Sequence, residues 1–187
     1  MTALTTGAFA PSLECVPDRK QALRDELVDA QRQLRDVLDR VGPDDWQRVS
    51  PNNEGWSIRQ ILVHLSTSEG GFVQTLRKMA AGQGGVPQDF DPNRWNAGQI
   101  RRNDQAQPDQ LRRNLESSHA EMVDLLATLD DQALDQTGHL SSGVDGTTED
   151  NFRLVASHKR GHTDDIRAAL SSAAGRTAQI PGAGSTG

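Results

Sequence analysis

The sequence predicts an all-α protein, a four-helix bundle with a long crossover connection, and three observations lead there. Four segments repeat apolar residues at steps of three and four, the pattern of a helix with one buried face. No run of β-branched residues alternates with period two. Capping and stop signals bracket the same four segments, and no repeat is present.

The first segment runs from about Asp18 to Val41, with Leu23, Leu27, Ala30, Leu34, Val37, Leu38 and Val41 on one stripe and Arg, Asp and Gln elsewhere. Gly42-Pro43 is its expected end, because glycine accepts a left-handed cap and proline cannot continue the helix. The second opens at Ser57, whose pairing with Gln60 predicts a capping box. Its stripe is Ile61, Leu65, Ser68, Phe72, Leu76 and Met79, and it ends near Gly82. A long irregular connection follows, with a helical turn expected over Asn93–Arg102. Such a crossover suits a bundle that is not simply up-down-up-down. The third segment begins at Gln107-Pro108, proline being favoured in a first turn, and carries Leu111, Leu115, Ser118, Met122, Leu125, Leu126 and Leu129. After a glycine-containing loop, Thr147 is the expected N-cap of the fourth, and Glu149 and Asp150 complement the partial positive charge of its start. Its stripe includes Val155, His158, His162, Ile166, Ala169 and Leu170.

A chain of 187 residues suits one domain with a real core. Only 34% of it is hydrophobic, so part is expected outside that core. Residues 1–17 and 172–187 read as disordered tails flanking a bundle over 18–171, since they are rich in small residues and show no periodicity. A formal charge of −6 lacks the basic footprint of a nucleic-acid binder. No segment approaches the roughly 18 apolar residues of a membrane span, and no signal peptide is legible, so the expected location is cytoplasmic. Cys15 is the single cysteine, so no intrachain disulfide holds the fold.

Three histidines carry the chemical signal. His158 and His162 stand four apart, which puts two imidazoles on one helix face. His64 lies beside the stripe of the second segment. Two ring nitrogens from one helix and a third from a neighbour make a facial set with open positions, the arrangement of a reactive metal site rather than a closed one. Three buried imidazoles without partners are costly, and a shared divalent cation is a common partner. The bland reading is exposed or singly hydrogen-bonded histidines.

The run Gly55-Trp56-Ser57-Ile58-Arg59-Gln60-Ile61-Leu62-Val63-His64-Leu65 resembles the W-S-x-x-[EQ]-x-x-x-H-[LV] signature that opens the second helix of the DinB-like (DinB/YfiT) superfamily. Ser157-His158-Lys159-Arg160-Gly161-His162 resembles its fourth-helix H-x-x-x-H, and Asp91-Pro92-Asn93-Arg94-Trp95-Asn96 is similar to the D-x-x-x-x-N element before its third helix. The resemblance covers about Asp18 to Leu170, in matching order. It implies a four-helix bundle holding zinc, nickel or iron through His64, His158 and His162, and a homodimer. It also implies thiol-dependent chemistry on a small molecule, since characterised members include low-molecular-weight-thiol S-transferases and mycothiol-dependent maleylpyruvate isomerases.

An open site of this kind lowers the pKa of a coordinated water or thiol, so hydrolysis and thiol transfer both remain open. Asp165, three after His162, is the first candidate to orient an imidazole, against a plain surface ion pair; Ser68 is another, against a small residue easing helix contact. His119 sits at the edge of the third stripe and His139 in a loop that can roof the site, though both also read as ordinary boundary or loop residues. Trp56 is expected to wedge the bundle end near the metal, while Trp46 and Trp95 are expected in packing. Arg94, Arg101, Arg102, Arg112 and Arg113 form a basic run that either grips a carboxylate or is a solvated face. The leading expectation is a metal-dependent thiol S-transferase or hydrolase-like enzyme, and the rival a non-catalytic metal-binding or partner-binding bundle.

Overall fold

The computed structural model describes residues 18–52 and 55–172. In chain order the elements are α1 (Arg19–Leu38), α2 (Ile58–Ala80), α3 (Pro92–Arg102), α4 (Pro108–Thr128), α5 (Asp131–Leu134), β1 (Thr137–His139), β2 (Asp145–Thr147) and α6 (Thr148–Ser171). The four long helices are the four periodic segments, and the fold is a four-helix bundle. Cys15 and the expected tails, apart from Ser172, lie outside the described residues.

Local signals act as the sequence predicts at most helix starts. Ser57 accepts the backbone N–H of Gln60 while the Gln60 side chain accepts that of Ser57, a reciprocal capping box. Thr147 and Asp150 form the same device at α6. Pro108 occupies the first turn of α4, where its missing N–H costs nothing.

Four expectations need correction. Helix α1 stops at Leu38, short of Gly42-Pro43, and tight turns carry Arg40 and Val41 onward through N–H bonds to Val37 and Leu38 carbonyls. The helical turn over Asn93–Arg102 is an 11-residue helix, α3, begun one residue earlier because the Asp91 side chain caps the Arg94 N–H and Pro92 follows it. A one-turn helix, α5, capped by Asp130, follows α4. The expectation of no strand misses a hairpin of two three-residue strands, paired Thr137↔Thr147 to His139↔Asp145. Strands that short leave no readable alternation. Across their edge, the Val86 N–H donates to the His139 carbonyl at 2.8 Å, tying the α2–α3 connection to the hairpin.

Helix α1 packs chiefly on α6, and α2 on α4, with α2 also against α6. The buried residues sort into two apolar clusters. One joins Leu34 and Leu38 of α1, Ile58–Leu65 of α2, Leu111 and Leu115 of α4 and Ile166 of α6. The other joins Leu23 and Leu27, Val73 and Leu76, Met122 and Leu126, and Phe152 and Val155. The late half of α1 therefore sits level with the early half of α2 and α4 and the late half of α6. Neighbours α1 and α6 run parallel, as do α2 and α4, which is why the α2–α4 connection must be a long crossover.

A polar layer separates the two clusters. Each main helix contributes one side chain to it: Gln31, Glu69, His119 and Lys159. The Lys159 ammonium is 1% exposed and donates to Gln31 Oε1 and Glu69 Oε1, both at 2.7 Å, and His119 Nδ1 lies 3.2 Å from the same carboxylate oxygen.

Candidate metal centre

The antiparallel pair α2 and α6 brings together three imidazoles from positions 64, 158 and 162. On α6 the four-residue step stacks His158 and His162 on one face, with ring centroids 4.7 Å apart. His64 meets both from α2, its centroid 4.8 Å from each. One ring nitrogen from each of the three lies within 4.8 Å of the other two, and the Nε2 atoms of His64 and His158 approach to 2.7 Å.

The outer nitrogens fix which way the lone pairs point. The Nδ1–H of His64 donates to Asn96 Oδ1 at 3.1 Å, and that of His162 to Asp165 Oδ2 at 3.0 Å. Each bond leaves the Nε2 of its ring as an acceptor. The Nε2 of His158, whose tautomer no bond among the described residues fixes, either donates its proton to that of His64 or repels it unless a cation lies between them. Charging the rings is disfavoured as well. Burial, and then the neighbouring His162, hold His64 down to about 4. Burial also lowers His158 well below the usual histidine range, with repulsion from His162 and His64 adding to it. For His162 burial outweighs the opposing pull of Asp165. Three neutral imidazoles that can each turn one nitrogen to a common point are a donor set that zinc, nickel and iron(II) accept, so these residues fit a divalent cation.

A cavity of about 540 Å³ opens over the three rings. Trp56 forms its wall at the histidines, edge-on to His64 at 5.2 Å and stacked over His162 at 6.3 Å. Phe72 meets His158 edge-on at 5.5 Å, and Phe90, Trp95 and Asn96 close the side formed by α3 and its approach. Ser68 lines the cavity from α2, its hydroxyl turned to the Leu65 carbonyl at 3.4 Å.

The remaining candidates separate by place. Asp165 is a partner of His162, its Oδ2 3.0 Å from Nδ1. Trp95 is more than a packing residue, since it walls the cavity, whereas Trp46 packs against the apolar cluster. His119 is 8% exposed inside the polar layer, away from the three rings. His139 does not roof the cavity: it sits on β1, bonds Asp145 at 2.8 Å and borders a separate shallow depression. Ser141 and Ser142 of the hairpin line the cavity instead. Arg94 is exposed on the outer face of α3 because the helix turns Trp95 and Asn96 inward. Arg112 pairs with Asp39 and Arg113 bonds Gln110, and none of the five arginines lines the cavity. Sequence reasoning missed Asn96 as the partner of His64, although the D-x-x-x-x-N element contains it. It also missed Lys78, a cation at the rim.

The family model of the DinB superfamily matches residues 21–166, nearly the whole of the bundle. The chain belongs to the DinB superfamily. Its fold is similar to that of YfiT from Bacillus subtilis, described as a probable metal-dependent hydrolase with an unusual four-helix bundle topology. The identity is 18% over 87% of this chain and 92% of that one, with a TM-score of 0.67. A mycothiol-dependent maleylpyruvate isomerase is similar at 15% identity and a TM-score of 0.69, over 80% of this chain and 61% of the isomerase. No curated protein matches the chain in sequence. At such identities these solved structures speak for the shared fold; the parallel pairs α1/α6 and α2/α4 are how this DinB chain builds it.

Proposed function

We propose that this DinB-superfamily chain is a divalent-metal-dependent enzyme acting on a small electrophilic molecule. His64, His158 and His162 would hold the cation, and a water or low-molecular-weight thiol such as mycothiol would be the nucleophile. The observation that carries the proposal is the convergence of three imidazole nitrogens within 4.8 Å on the floor of a cavity. When bound, zinc, nickel or iron supplies Lewis acidity and lowers the pKa of a coordinated water or thiol. This chain's own residues do the rest. Asn96 and Asp165 hold two rings in the tautomer that binds metal. Trp56 and Phe72 pack against the rings and hold them in place. No cysteine is among the described residues that line the cavity, and the thiol in this reading is a cosubstrate.

A purely structural ion is expected to be saturated by protein groups. Neither earlier candidate for a fourth ligand supports that: His119 is engaged in the polar layer and Asp165 faces the outer nitrogen of His162. The YfiT description favours water as nucleophile and the isomerase description favours mycothiol. A homodimer in the cytoplasm belongs to the same proposal, and light scattering of the purified chain checks the dimer.

The test is metal content. Protein purified without a histidine tag is expected to carry about one transition metal per chain, lost in His158→Ala/His162→Ala. His64→Ala is expected to lose metal while the bundle stays folded on its apolar clusters. A wild type that holds no metal and takes up neither zinc nor nickel would sink the proposal. Collapse of His64→Ala would transfer support to a structural ion.

A further inference from the structure

The cavity extends well beyond the three histidines. Along α2 its lining is His64, Ser68, Gly71, Phe72, Thr75 and Lys78, a single stripe of three- and four-residue steps. From position 64 to position 78 the helix axis rises about 21 Å. A volume of about 540 Å³ drawn out along that length is a narrow groove, suited to an extended ligand rather than a round one.

Three features define what fits. The walls are apolar and aromatic, with Phe72, Phe90, Trp95, Val86 and Leu154 among the lining residues. Gly71 stands mid-helix on the groove side, where glycine costs roughly 1 kcal/mol relative to alanine. A Cβ there would meet only Trp95, at 3.9 Å, so a methyl fits but a larger side chain would stand in the groove. At the far end, the Lys78 side chain is exposed and makes no hydrogen bond or ion pair with the described residues, whereas its neighbour Arg77 is bound to Glu121 at 2.7 Å. Apart from the histidines, Lys78 is the one ionisable residue lining the groove among the described residues.

We propose that the groove binds an extended, unbranched apolar carboxylate, its charged end at Lys78 and its chain running over Gly71 towards the histidines. Lys78 is then a specificity-determining residue, and the far end of the ligand is the part presented to the metal floor. This deepens the proposed function by naming a substrate class, but the binding step itself needs no metal.

The experiment titrates the full chain, as purified and after chelation, with decanoate and dodecanoate and with the matching amides, following quenching of Trp56 and Trp95 below micelle formation. Carboxylates are expected to bind more tightly than amides, with affinity rising with chain length in both metal states. Lys78→Met keeps the apolar stem and removes the charge; it is expected to weaken the carboxylates about fivefold and leave the amides unchanged. Gly71→Leu is expected to abolish binding of both, while Gly71→Ala binds normally and shows that the backbone tolerates a side chain there. Three results would overturn the proposal: no binding by the wild type, no effect of Lys78→Met on the carboxylate preference, or a preference that disappears on chelation. The last would place the carboxylate at the histidines. Failure of the metal proposal is read separately, from metal content, and leaves the chelated-state titration intact.

Discussion

At the scale of single residues, the three histidines are defined by what they are denied. They sit among Trp56, Phe72 and one another, where a positive imidazolium is poorly solvated, so the protein holds them neutral. This has a consequence for acid stability. An unfolded histidine titrates near 6.5, whereas His64 in the fold titrates at about 4. Between those values the unfolded chain binds the extra proton, so its population gains. Stability from these groups is therefore fully present above pH 6.5 and falls as the pH drops towards 4. His64 alone accounts for about 3 kcal/mol once the pH is below 4, with His158 and His162 acting in the same direction. Urea midpoints of chelated protein are expected to fall between pH 7 and pH 4.5, and the decline is expected to be smaller in His64→Ala. A midpoint that stays level would show that the rings are solvated. Asn96 marks the limit of legibility at this scale. Its motif could be read, but the role of its side chain requires knowing that α3 lies over His64.

At the scale of elements, the stripes of α1, α2, α4 and α6 and the capping boxes of α2 and α6 were legible because each depends on residues three or four positions apart. The hairpin was not, and its position is governed by a contact outside its own sequence. A Cβ on Gly85 would lie 2.0 Å from the His139 carbonyl oxygen and 2.7 Å from the His139 nitrogen, both backbone atoms with no freedom to rotate away. Gly138 is pressed from the other side, 2.5 Å from the Gly85 nitrogen on the same construction. These two glycines let the α2–α3 connection lie against β1, which brings Val86 and Pro87 beside Ser141 and Ser142 at the cavity wall. Gly85→Ala must push the two segments apart. The expected cost is about 2 kcal/mol, read as a lower thermal midpoint with unchanged helical circular dichroism. Metal content is expected to be retained, because α2 and α6 hold the histidines without the hairpin. An unchanged midpoint would mean the connection is not docked on β1 in solution.

At the scale of the whole molecule, the bundle is two apolar clusters separated by a layer of Gln31, Glu69, His119 and Lys159. Lys159 stands between His158 and Arg160 in a polar run of sequence, yet it is buried and shared by α1, α2 and α4 through their side chains. A buried ion pair adds little stability against an apolar replacement, but removing one member leaves a charge stranded. Lys159→Met is expected to cost about 3 kcal/mol, and Lys159→Met/Glu69→Leu to recover most of it. Chemical denaturation of the two variants checks this, and a double mutant no better than the single would show that the layer acts through more than its charges. A network that takes one side chain from each helix also penalises any slip of one helix against the others, since every slip leaves a buried polar group unpaired.

The four long helices, the caps that start α2 and α6, and the placing of His158 and His162 on one helix face were determined by the sequence alone, because each arises from interactions within a turn or two of chain. The tertiary structure decided what no local pattern carries. It brought His64 to His158 across 94 positions, turned Asn96 inward and Arg94 outward, and buried Lys159. It also left Lys78 at the end of a groove that begins at the three histidines. Those outcomes depend on which helix faces are covered, and a face is covered only by chain that is distant in sequence and near in space.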